Sequence, residues 1–98
     1  MPEMTFEVRW PDGSQQRCYS PSLVMHDYLR TGEHYTVAEF VYRARRALAE
    51  ASERVRAKYG FACTSAADTT QRILQVANSF PDHEQVAITA MHPELETL

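Results

Sequence analysis

From Thr36 to Gly60 apolar residues recur as Val37, Phe40, Val41, Ala44, Leu48, Ala51, Val55 and Tyr59, the three- and four-residue spacing of a single helical face. Thr36 with Glu39 three residues on makes a capping box, and Gly60 supplies a left-handed stop. A helix of about 24 residues is roughly 36 Å long at 1.5 Å per residue. A compact chain of 98 residues has a radius of gyration of about 12.6 Å, hence a diameter near 33 Å. The helix must therefore cross the whole molecule, and the rest of the chain has to be arranged against its one apolar stripe.

Before it, Met4, Phe6, Val8 and Trp10 alternate with Thr5, Glu7 and Arg9, the pattern of a strand buried on one face. Pro11, Asp12 and Gly13 suit a hairpin turn, after which residues 15 to 20 pair antiparallel with the first strand. Pro21, lacking an N–H, ends that second strand and marks it as an edge. The stretch "SPSLVMHDYLRTGEHY" fits either an extended segment or one helical turn begun by Ser20 or Ser22, with a loop at Thr31 and Gly32. After Gly60, Ser65 and Asp68 resemble a second capping box, and Ala66, Thr70, Ile73, Leu74, Ala77 and Phe80 line a face until Pro81 stops the helix. Val86, Ile88 and Ala90 then alternate with Ala87, Thr89 and Met91 as a last strand. The expected fold is one α+β domain over residues 1–98. A small antiparallel sheet of about three strands, in the order β-β-α-α-β, is covered on one face by one long and one shorter helix, with the last strand beside the first.

Hydrophobic residues make up 44% and charged residues 23%, a balance that supports a packed core rather than a disordered chain. A net charge of -3 exerts no overall pull toward nucleic acid. "RARR" and "RVRAK" do not form one basic stripe: Arg45 and Arg56 fall on one border of the apolar face and Arg43, Arg54 and Lys58 on the other. Glu39, Glu50 and Glu53 lie between them with Arg46. That is a solvated helix face, and no nucleic-acid partner is expected. His26, His34, His83 and His92 lack ligand spacing, so neither a metal nor another cofactor is expected. Only 3 glycines are present, with no phosphate loop and no Gly-x-Ser-x-Gly elbow, which argues against catalysis by this chain alone. "MPEMTFEVRW" is not a signal peptide, and no apolar run reaches the roughly 18 residues of a membrane span, so a cytoplasmic protein without a membrane partner is expected. The long helix, Trp10 and 5 tyrosines suggest contact surface and a homodimer.

Cys18 and Cys63 lie far apart and, in a reducing compartment, are expected as free thiols. Cys63 stands just before the second helix, where the dipole lowers a thiol's pKa and favours reactivity. The favoured reading is instead that Phe61, Ala62 and Cys63 turn inward as packing between the helices.

The strings "RWPDGS", "RCYSPSLV" and "ASERVRAKYGFACTSA" resemble a small bacterial family of nitrogen starvation response proteins, over roughly the first two-thirds of the chain. The resemblance implies a gene cluster with a nitrilase-type carbon-nitrogen hydrolase, a radical SAM enzyme, an acetyltransferase, an AIR-synthase-like protein and a flavoprotein. It transfers no catalytic residue. The function it suggests is a non-enzymatic accessory or binding protein acting beside those enzymes; the alternative is a small enzyme or thiol carrier using Cys63. Both cysteine-containing strings end an element. They are expected to meet at one end of the sheet as a binding surface of Cys18, Tyr19, Ser20, Tyr59, Phe61, Cys63 and Ser65. The competing reading is that both are fold determinants, with Pro21 and Gly60 as breakers and the cysteines as packing.

Overall fold

The computed structural model describes residues 3–61 and 64–94. β1 (Met4–Arg9) and β2 (Gln15–Ser20) pair antiparallel from Met4↔Ser20 to Arg9↔Gln15. Gly13, at φ 89°, closes the turn by donating its N–H to the Trp10 carbonyl at 2.9 Å. Ser14 donates to Asp12 Oδ1 from both its hydroxyl and its backbone N–H, and these bonds hold the Asp12 carboxyl below its usual value.

Of the two conformations open to the next stretch, the helical turn forms, as a 3₁₀ turn at Leu23–Asp27. The two serines before it decide the matter. Buried Ser20 donates its hydroxyl to the Ser22 carbonyl and accepts the Ser22 N–H, while the Ser22 hydroxyl accepts from Val24 N–H at 3.2 Å. Gly32 N–H then donates to the Ile88 carbonyl at 2.7 Å and Ile88 N–H to the Glu33 carbonyl at 3.1 Å. Those two bonds align the following residues with the last strand, and His34–Thr36 becomes β3. The sheet therefore has four strands rather than about three, in the order β2-β1-β4-β3.

α1 (Val37–Tyr59) starts and stops where its end signals stand: the Thr36 hydroxyl accepts from Glu39 N–H at 3.1 Å, and Gly60 is left-handed at φ 80°. The Glu39 carboxylate takes Arg43 at 2.9 Å instead of completing the box. At 1.5 Å per residue its 23 residues span about 34 Å of a molecule measuring 39 × 34 × 17 Å. Val37, Phe40, Ala44, Ala47, Leu48, Ala51 and Val55 are buried, so the apolar stripe ends at Val55 and leaves Tyr59 outside it.

α2 (Thr64–Ala77) begins one residue before Ser65, which sits in its first turn, and the Asp68 carboxylate bonds Arg72 at 2.9 Å. Ser65, expected as a cap, thus stands inside the helix, the Asp68 carboxylate is paired along the helix surface, and the position before Thr64 lies outside the described residues. Phe80, just beyond α2, stacks on Trp10 at 5.8 Å, and Phe40 meets the same indole edge-on at 5.5 Å. With Trp10 Nε1 donating to Gln16 Oε1 at 2.8 Å, the indole is core, not the contact aromatic expected of it.

β4 (Gln85–His92) lies between β1 and β3, beside the first strand as expected. Its apolar alternation does not run straight through. Glu7 pairs with Ala90 but Val8 with Ile88, so Thr89 is an extra residue in a bulge, its hydroxyl donating to the Glu7 carbonyl at 3.3 Å. The bulge resets the alternation and turns Met91 inward beside Ile88, where the sequence pattern had placed Ala90. Both helices cover the face carrying Phe6, Val8, Ile88 and Met91, and the core lies between the two layers. Among the described residues no helix is long and apolar enough to cross a membrane.

Candidate functional site

β2 sits at the sheet edge against α2, and the Thr69 hydroxyl donates to the Tyr19 carbonyl at 2.8 Å. Cys18 pairs with Phe6, and the two-residue period therefore turns its side chain to the covered face, where it is 3% exposed. Burial pushes its thiol up to about 12, far from the range of a nucleophile at neutral pH. Ser20, also buried, has its hydroxyl engaged by Ser22. Tyr19 alternates to the other side and donates its phenol to Glu3 Oε2 at 3.0 Å.

The other half of the expected surface is built differently. Among the described residues nothing covers the end of α1 beyond Val55, and Tyr59 and Phe61 stand 50% and 65% exposed with their rings 6.1 Å apart. The Lys58 ammonium lies over the Tyr59 ring at 5.8 Å, and Arg56 is exposed in the same helical turn. Ser65 is half-buried in the first turn of α2. Cys63, the thiol of the alternative function, lies outside the described residues. Cys18 and Ser20 thus act as packing, while Tyr59 and Phe61 make an aromatic tip with a basic border.

A further concavity, absent from the sequence reading, lies between the 3₁₀ turn, β3 and the second turn of α1, with a volume near 620 Å³. Arg43 forms one wall. Its Nε bonds Glu39 at 2.9 Å, its Nη1 donates to the Tyr28 carbonyl at 2.9 Å, and its guanidinium lies 5.0 Å from the Tyr35 ring centre. The Tyr35 hydroxyl accepts from Arg30 N–H at 3.2 Å. His26 donates from Nε2 to the Pro93 carbonyl at 2.9 Å, which fixes where its proton sits. The available signal was Arg43 itself: a cation on the border of a buried stripe has to meet whatever covers that border, here residues 26 to 35. Among the described residues no three His, Cys, Asp or Glu side chains gather as a metal site.

No curated protein and no solved structure matches the chain. Residues 5–91 match the family model described as "Nitrogen starvation-induced protein NitG". The match runs beyond the first two-thirds that carry the sequence resemblance and takes in α2 and most of β4, so it spans both helices and all four strands apart from the end residues Met4 and His92. The chain belongs to the NitG family of nitrogen starvation-induced proteins.

Proposed function

We propose that this NitG-family chain is a non-enzymatic accessory protein of the bacterial cytoplasm that docks onto an enzyme of the nitrogen-starvation response. The observation that carries this reading is the aromatic tip. Two adjacent rings left in water by the end of α1 lose hydration-unfavourable area only when another surface covers them, and aromatics concentrate at the centres of protein interfaces. Arg56 and Lys58 at the border select a partner whose apolar pocket is rimmed by acidic groups. The nitrilase-type hydrolase and other enzymes implied by the family's gene cluster are the partners to try first.

Tagged wild-type chain and Phe61→Ser, each expressed in nitrogen-limited cells, test the reading. Wild type is expected to hold a stoichiometric enzyme of the cluster, and the variant to lose it by about tenfold or more, since central interface aromatics contribute on the order of 2 kcal/mol. Equal recovery by both proteins sinks the tip as the docking surface. A mass adduct on Cys63, formed with the cluster's enzymes and their substrates, would instead make the chain a thiol carrier.

A further inference from the structure

We propose that the cleft walled by Arg43 and Tyr35 binds a small zwitterion, a molecule carrying a carboxylate and an ammonium group a few bonds apart. Arg43 is held on three sides, by Glu39, the Tyr28 carbonyl and the Tyr35 ring, so its guanidinium is fixed before any ligand arrives. The hydrogen bonds it makes among the described residues use Nε and Nη1, leaving the donors of Nη2 for an incoming carboxylate. Tyr35 accepts the Arg30 N–H through its oxygen, and its own O–H is a second donor on that wall.

The remaining charges decide between ligand classes. Asp27 and Glu33 line the same cleft and form no ion pair among the described residues; the Arg30 guanidinium likewise has none. A plain anion would meet two carboxylates, and a plain cation would meet two arginines, each at a cost from like charge. A molecule with both signs satisfies Arg43 and Arg30 at one end and Asp27 and Glu33 at the other. The volume near 620 Å³ falls within the roughly 300–1,000 Å³ of small-molecule sites and holds a free amino acid with room to spare. The cleft is separate from the Tyr59–Phe61 tip, and either assignment can fail without the other.

Amide NMR of the full chain, titrated with the protein amino acids at about 10 mM, gives the test, since weak small-ligand binding falls in this range. Shifts are expected at residues 26 to 35 and at Arg43. The best binder is then compared with its own deaminated acid and decarboxylated amine, each expected to bind about tenfold weaker. Glu33→Gln should weaken the amino acid several-fold while its deaminated acid, relieved of a like charge, binds at least as well as before. Arg43→Gln should abolish binding, and because it also cuts ties to Glu39 and Tyr28, Tyr35→Phe serves beside it: it keeps the ring, removes the O–H and the acceptor of the Arg30 N–H, and should weaken binding several-fold with the other amide shifts of the free protein unchanged. No shift with any amino acid would leave these charges as solvated surface. An acid that binds as tightly as its amino acid, or no effect of Glu33→Gln, overturns the zwitterion assignment.

Discussion

Cys18 shows how one position takes its chemistry from its register partner. Opposite Phe6 and under α2, its thiol is raised from 9.0 to about 12 by burial alone. In a Cys63→Ser background, Ellman's reagent at pH 8 should react with Cys18 only after denaturant is added; prompt native labelling would contradict the burial. The same shift sets a pH dependence. The folded thiol keeps its proton where the unfolded one loses it, so its stabilisation is complete below pH 9.0 and is lost as pH rises toward about 12. Unfolding free energies from urea titrations should fall over that window by up to about 1.4 kcal/mol per pH unit from this group, a slope that Cys18→Ala removes. Alternation along residues 15 to 20 already contained this result: Cys18 and Ser20 stand opposite Phe6 and Met4, and only Tyr19 between them points outward. Trp10 was open to the same reasoning, as the fourth member of the Met4, Phe6, Val8 series. Removing its indole from between Phe40 and Phe80 by Trp10→Ala should cost about 3–5 kcal/mol in denaturant unfolding.

The elements that declared themselves did so through end signals that need no tertiary help. α1 begins at the Thr36 cap and stops at Gly60, and each end can be tested alone. Thr36→Ala should lower stability by about 1 kcal/mol through one lost cap bond. Gly60→Ala should cost about 1–2 kcal/mol as well, although a methyl there meets nothing within 4 Å, because the left-handed backbone itself disfavours a side chain. Thermal unfolding of the two variants measures both, and a neutral Gly60→Ala would deny that the stop is conformational. Residues 21 to 34 were illegible for the opposite reason. Leu23, Val24, Met25 and Leu29 fit two periods at once, and bonds from Ser20 and from Ile88, far away in sequence, choose between them. β3 is similarly borrowed from its neighbour, since three residues carry no period of their own and exist as a strand only along the edge of β4. The Arg43 cleft is assembled from that same segment, which is why it escaped detection along with it.

The molecule as described is two layers thick, 17 Å in its short dimension, with α1 and α2 on one side of the sheet. Homodimerisation remains a proposal at this level; light scattering at two concentrations tests it, a monomer mass at both removing it. Phe61→Ser should leave the unfolding free energy within about 0.5 kcal/mol of wild type, as expected for a ring that is 65% exposed beside Tyr59. A large loss of stability would mean the tip belongs to the fold rather than to a partner. The extra residue in β4 carries a different implication. With Thr89 excised, Ile88, Ala90 and Met91 would face in, out and in with no interruption, so every side chain would keep its side while the strand lost its kink. A chain one residue shorter should therefore still fold, and the drop in its melting temperature would measure what curvature alone contributes to seating the helices.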